Sequence, residues 1–224
     1  MHCFIPKNET GRDFIVGDIH GCFELLETTM RYHGFDKAKD RLFSVGDIID
    51  RGPESEKCLS LLSESWFHMV MGNHEQMMID FITGGQGYNR LSQYGGWARK
   101  MQTSDLNDYV KSLAKLPISL TLDCGEFTVG VCHAEPDGDD WMKSRDDAQS
   151  RNIMMWGRKV LKELPTSKLT GVDISIHGHT PLESPKWIGN RYFMDTDAWD
   201  TGNLTFRNID DIFAEYNALN KLFS

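Results

Sequence analysis

Three short apolar runs in the first third of the chain each stop at a glycine, and residues able to bind cations or move protons follow each glycine at once. Asp13-Phe14-Ile15-Val16 leads into Gly17-Asp18-Ile19-His20-Gly21. Arg41-Leu42-Phe43-Ser44-Val45 leads into Gly46-Asp47-Ile48-Ile49-Asp50-Arg51-Gly52, and Phe67-His68-Met69-Val70-Met71 into Gly72-Asn73-His74-Glu75. The runs have the length of strands. Between them, Cys22–Tyr32 puts Phe23, Leu26 and Met30 on one helical stripe. A second helix is read around Glu54–Leu62 and a third from about Glu75. Strand and helix in alternation favour parallel strands joined by crossovers. In an open α/β sheet the carboxyl ends of such strands form the edge where ligands bind. The topology alone therefore gathers these Asp, His and Asn side chains on one rim.

The second half is richer in strands, read at Ile118–Leu122, Phe127–Cys132, Asp173–Ile176, Tyr192–Met194 and Leu204–Ile209. Two of them run into Cys132-His133 and His177-Gly178-His179. The stretch from Tyr88 to Leu116 reads as helical. Glu135–Asn152, with Gly138 and five Asp, reads as a long surface loop. The expected fold class is mixed α/β, two sheets packed together with helices outside. No repeat, low-complexity tract or linker divides the 224 residues, so 1–224 is expected to be one domain.

A single Asp-x-His is a weak signal, because such residues are common in turns. Five strand ends that all supply oxygen or nitrogen donors are not a set of independent turns. Carboxylate and imidazole donors without thiolates suit Mn, Fe or Zn rather than a structural zinc–cysteine site. The net charge of −9, from 24 Lys and Arg against 33 Asp and Glu, leaves no broad basic face for nucleic acid or an acidic membrane. No stretch approaches the ~20 apolar residues of a membrane span. The five cysteines, Cys3, Cys22, Cys58, Cys124 and Cys132, are scattered, make no CxxC pair and read as small buried apolar residues. With no signal-like N-terminus, a reducing cytoplasmic setting is expected.

Gly-Asp-x-His-Gly, Gly-Asp-x-x-Asp-Arg-Gly and Gly-Asn-His-Glu, in this order, resemble the phosphoprotein phosphatases among the calcineurin-like metallophosphoesterases. The likeness is to the small phage lambda-type and bacterial serine/threonine phosphatases. Trp156-x-Arg158 and His179-Thr180-Pro181 extend the resemblance over roughly Asp13 to Leu204. It implies a metallophosphoesterase fold with two divalent metal ions, Mn²⁺ foremost and Fe or Zn as alternatives. Asp18 and His20 would hold one metal, Asn73, His133 and His179 the other, and Asp47 would bridge both. A hydroxide bridging the metals would attack the phosphorus. His74 would be the general acid, Asp50 its partner, and Arg51 and Arg158 the phosphoryl-binding residues. The substrates implied are phosphoserine and phosphothreonine proteins or peptides, with phosphotyrosine open, and no obligate regulatory subunit is evident.

Two other functions are weighed. The symmetrical dinucleoside tetraphosphatases share the metal motifs, but generally resemble Gly-Asp-Leu-Val-Ala-Arg-Gly and Gly-Asn-His-Asp where this chain has Asp50 and Glu75. An inactive binding module would be expected to lack a ligand or the acid, and none is missing. Glu75 is expected to orient the loop or cap the following helix, His177 to support the site from behind, and Met77 and Met78 to fill the core. His2, His33 and His68 are expected to be surface or packing residues. Two departures from the family pattern lie near the site: Asp197, where relatives usually have glycine, and Ala134-Glu135-Pro136 after His133.

Overall fold

The computed structural model describes residues 2–84 and 96–222. The first three runs form β2 (Asp13–Val16), β3 (Arg41–Ser44) and β4 (Phe67–Met69), separated by helices α1 (Phe23–Tyr32) and α2 (Ser55–Ser60). β2, β3 and β4 are parallel, with Val16 beside Ser44 and Ser44 beside Met69, so all three release their loops from one edge. The antiparallel strand β10 (Phe206–Asn208) completes a four-stranded sheet in the order β10-β2-β3-β4. A six-stranded sheet faces it. It contains β1 (His2–Ile5), β5 (Ser119–Asp123), β6 (Thr128–Cys132), β7 (Ile174–His177), β8 (Lys186–Ile188) and β9 (Arg191–Phe193), in the order β1-β5-β6-β7-β9-β8. β6, β7 and β9 run parallel and deliver His133, His179 and Asp195 from their carboxyl ends.

Alternation decides the packing. Ile15, Phe43, Val45 and Val70 turn inward to meet Leu120, Val129, Val131, Ile174 and Ile176 of the larger sheet. Phe14, Val16 and Leu42 turn outward, against Leu26 and Met30 of α1, Cys58 and Leu59 of α2, and Met77 and Met78 of α3 (Asn73–Ile82). Leu106, Val110 and Leu113 of α4 (Thr103–Leu113) close the same layer. Each such side chain gains about 1.5–3 kcal/mol from burial, and a one-residue slip would expose a whole row. The register, and with it the level of the rim, is strongly fixed. The predicted helical stretch is described from residue 96 onward as a 3₁₀ turn and α4; its first part, 88–95, lies outside the described residues.

Glu135–Asn152 is not the open loop expected. Asp140 accepts a hydrogen bond from the Lys143 N–H and caps α5 (Trp141–Asp146), and α6 (Arg151–Trp156) begins before the stretch ends. Trp141 is fully buried. Its ring lies over Gly130, where a methyl group would strike it, and its Nε1–H donates to Thr121 Oγ1 at 2.8 Å. It anchors the segment to the larger sheet. Strands β1 and β8 and the C-terminal helix α9 (Ile209–Leu222) are additions to the sequence reading. Cys58 and Cys132 are buried as expected, Cys22 and Cys124 are half-buried, and Cys3 is exposed because β1 is an edge strand. Among the described residues no helix is long and apolar enough to cross a membrane.

Candidate active site

The rim converges as the strand order requires. Asp18 and His20 follow β2, Asp47, Asp50 and Arg51 follow β3, and Asn73 and His74 open α3 beyond β4. His133 follows β6 and His179 follows β7; all of these except Arg51 are buried. Arg158 reaches the cluster just before α7 (Lys159–Glu163), and its Nε–H donates to His179 Nε2 at 3.2 Å. Close approach explains two of the motif glycines. A methyl group on Gly178 would collide with Asp18 Oδ1, and one on Gly72 with Asp47 Oδ1. The backbone is strained here as well. Among the described residues seven that are not glycine have positive φ, and His20, Asp47, Asp50, Arg51, His179 and Asp197, six of the seven, belong to this rim. Each costs on the order of 1 kcal/mol or more, and such residues collect where function requires the geometry.

Carbonyl partners orient the imidazoles. Nδ1–H of His20 donates to the Ile49 carbonyl and Nδ1–H of His133 to the Val45 carbonyl, each at 2.8 Å. A carbonyl only accepts, so Nε2 of each ring is turned into the cluster. His20 Nε2 lies 3.8 Å from Asp47 Oδ2 and 3.9 Å from Asp18 Oδ2; His133 Nε2 lies 3.3 Å from Asp47 Oδ2. Asn73 Oδ1 lies 2.9 Å from His133 Nε2 and 2.8 Å from His179 Nδ1. Donor atoms of His20, Asp47 and His74 all fall within 4.8 Å of one another, and so do those of Asp47, His133 and His179. Asp47 is common to both sets. Asp18 faces His20 and accepts the His179 backbone N–H.

The electrostatics fit cations. Burial pushes Asp18 well above the usual carboxyl value, and the charge of Asp195 adds to the effect. Burial also lifts Asp195 to about 6. Burial works against charge on His133 too, yet Asp47 and Asp18 raise it to about 10. The carboxylates thus call for positive charge at the point where the rings meet. His20, lowered to about 3 chiefly by burial, stays neutral and keeps a lone pair on Nε2. Buried carboxylates and imidazoles with no thiolate among them suit Mn, Fe or Zn. Cys132 does not join, since its Sγ lies 3.3 Å from His177 Nδ1.

His74 differs from the other rings. Its Nδ1 lies 2.7 Å from Asp50 Oδ2, and the other Asp50 oxygen accepts Nε1–H of Trp97 at 2.7 Å. Burial opposes a proton on His74, but Asp47 and Asp50 outweigh it and raise its pKa. Glu75 holds the floor. Its carboxylate accepts the backbone N–H groups of Asp47, Ile48 and Gly72 within 2.9–3.0 Å. Burial, with Asp47 adding, lifts it to about 7, but both oxygens are occupied, and each donor left unmet would cost about 1–3 kcal/mol. Glu75 is a brace. His177 is fully buried, bonded to Ser175 Oγ at 2.8 Å, and supports β6 and β7 from behind the cluster. Glu135 accepts the Lys159 and Val160 N–H groups at 2.8 Å each, which sets the start of α7 and with it Arg158.

The profile of the calcineurin-like phosphoesterases matches residues 14–200, which takes in every strand-end motif above. The chain belongs to that family. The phosphoesterase is 37% identical to serine/threonine-protein phosphatase 1 of Salmonella typhimurium (strain LT2) over 202 residues, covering 88% of this chain and 91% of that one. It is 32% identical to serine/threonine-protein phosphatase 2 of Escherichia coli (strain K12), covering 88% and 92%. A crystal structure provisionally described as a diadenosine tetraphosphatase superposes with a TM-score of 0.70 at 21% identity over 92% of this phosphoesterase and 93% of that chain, which shows the shared fold.

Asp195, Trp97 and Trp199 belong to this surroundings and were not identified as site residues from the sequence. Asp195 follows β9 as Asp18, Asp47 and His133 follow their strands, a signal the sequence does carry. Trp97 reaches Asp50 across 47 residues and leaves no local trace.

Proposed function

We propose that this phosphoesterase is a metal-dependent protein phosphatase that hydrolyses phosphoserine and phosphothreonine monoesters. The observation that carries the reading is the carboxylate-held imidazole of His74. Its Nδ1 is fixed by Asp50 and its Nε2 faces the cluster, 4.0 Å from Asp47 Oδ2. A serine or threonine alkoxide is a poor leaving group and needs a proton as the P–O bond breaks. A positioned acid contributes about 10²–10⁴-fold. The tetraphosphatases keep this histidine but generally have alanine where this chain has Asp50, so the carboxylate that holds His74 speaks against the tetraphosphatase alternative.

In this reading Asp18 and His20 hold one cation, Asn73, His133 and His179 the other, and Asp47 both, with Mn²⁺ as the cation proposed. Two such cations, held there, would offset the phosphoryl charge and would make a water acidic enough to serve as nucleophile near neutral pH. Arg51 and Arg158 grip the phosphoryl oxygens, where a forked guanidinium fits better than an ammonium. Ligation through His179 Nδ1 would put the ring proton on Nε2, ending the contact with Arg158 and freeing that guanidinium for substrate. A cleft of about 390 Å³ beside Arg158, with Pro136, Ile153 and Val160 in its walls, offers room for the chain flanking the phosphorylated residue. The five free thiols suit a cytoplasmic setting.

The test is to compare kcat/KM, with Mn²⁺ present, for a phosphothreonine peptide, p-nitrophenyl phosphate and diadenosine tetraphosphate. The peptide should be cleaved well and the tetraphosphate poorly. A clear preference for the tetraphosphate would overturn the reading.

A further inference from the structure

Arg51 meets a carboxylate of this chain before it meets any phosphate. Its Nη1 lies 3.5 Å from Oδ1 of Asp197, with both side chains largely buried at 22% and 24% exposure. The guanidinium carbon sits 5.9 Å from the centre of the Trp199 ring, on the short helix α8 (Ala198–Thr201) that Asp197 introduces. Asp197 holds this place under strain. Its φ is +55° and ψ +54°, a conformation glycine adopts more readily than aspartate. Its backbone N–H donates to Asp195 Oδ1 at 2.9 Å. Its own Oδ1 is buried and accepts no hydrogen bond among the described residues. A left-handed residue whose buried carboxylate oxygen is turned toward one guanidinium is placed there for its charge.

We propose that Asp197 is a counter-ligand of Arg51 that competes with the phosphoryl group and so speeds release of inorganic phosphate. This rests on the reading of Arg51 as a phosphoryl-binding residue. The guanidinium carries its donors in a rigid fork, so it can face the carboxylate with one nitrogen and an incoming phosphate with the others. The phosphate must then share Arg51 with the carboxylate, which weakens its binding, and in a partly buried pocket salt screens this competition less than on open surface. After ester cleavage the same competition returns Arg51 to Asp197. Asp197 is a positioning residue; it acts only through Arg51.

The experiment is inhibition of p-nitrophenyl phosphate hydrolysis by inorganic phosphate, with phosphate binding measured in parallel by calorimetry, in wild type, Asp197→Asn, Arg51→Ala and the double variant. Asparagine tolerates the left-handed conformation, and Asp197→Gly serves as a second variant that removes the strain along with the charge. Both single changes at 197 should tighten phosphate roughly three- to tenfold, as expected for removing one partly screened competitor for the Arg51 guanidinium. In the Arg51→Ala background the change should shrink to less than about twofold. An unchanged or weaker phosphate affinity in Asp197→Asn and Asp197→Gly overturns the proposal. So does a shift of the same size with and without Arg51, since the carboxylate would then act by general field or by structure. If wild type hydrolyses no phosphate ester and binds no phosphate, the functional reading fails and takes this proposal with it. If wild type is active and only the shift is missing, the proposal alone fails.

Discussion

His74→Asn should lower turnover on phosphothreonine peptide by about 10²–10⁴-fold and leave the bound cations in place. Two features of the ring point the same way. Its Nδ1 is engaged at 2.7 Å by Asp50, which is itself fixed by Trp97, and its pKa is raised rather than lowered. Its Nδ1 partner is a carboxylate, where those of His20 and His133 are carbonyls, and a carboxylate favours the proton that an acid must carry, although the donor atoms of His74, His20 and Asp47 lie within 4.8 Å of one another. Distance alone would make it a ligand; the carboxylate partner marks it as the acid. The two roles separate cleanly by measurement. An acid protects against poor leaving groups, so the loss should shrink steadily along a series of aryl phosphates of falling leaving-group pKa. A ligand would cost metal content and lower every substrate alike. Equal losses across the series, with metal missing from the variant, would transfer His74 to the ligand set.

Asp47→Asn should remove both cations together. Asp47 Oδ2 lies 3.8 Å from His20 Nε2 and 3.3 Å from His133 Nε2, while its Oδ1 accepts the His74 backbone N–H at 2.9 Å. Burial opposes its ionisation, but the surrounding imidazoles of His133, His74 and His20 hold it well below the usual carboxyl value, so the carboxylate is charged and available. An amide is neutral and offers one acceptor oxygen. Elemental analysis after gel filtration should find about two metals per chain in wild type, as for a two-metal site, and fewer than one in the variant, with activity reduced by at least about 10³-fold. Two metals retained in Asp47→Asn would show that the cations do not share this residue.

Much of this arrangement was legible because glycine marks where a strand must stop. β2 runs from Asp13 to Val16 as read, and β3 and β4 keep the starts read for them and end one and two residues earlier. Parallel pairing then gathers Asp18, Asp47 and Asn73 with no further information. The C-terminal half was less legible. The six-residue helices α5 and α6 are under two turns, too short for an apolar period to emerge, and the acidic residues around them imitate a loop. What fixes α5 is Trp141 against Gly130 and Thr121, a complementarity that appears only once the sheet exists. The hairpin of β8 and β9 did carry a signal, Gly189-Asn190, a pair suited to a tight two-residue turn. The strained φ values at His20, Asp47 and His179 were not visible, because nothing in a sequence distinguishes a histidine in the left-handed region from one in a strand. Asp197 shows the limit best. Its departure from glycine could be seen, but its contact with Arg51 could not.

The most direct measurement is phosphate release from a phosphothreonine peptide by protein first stripped with a chelator and then titrated with Mn²⁺. The stripped protein should be inactive, and activity should rise with added Mn²⁺ to a plateau at about two bound ions per chain. Full activity in the stripped protein, or a doubly loaded protein that releases no phosphate from any monoester, would contradict the assignment of this rim as a metal-dependent phosphatase site.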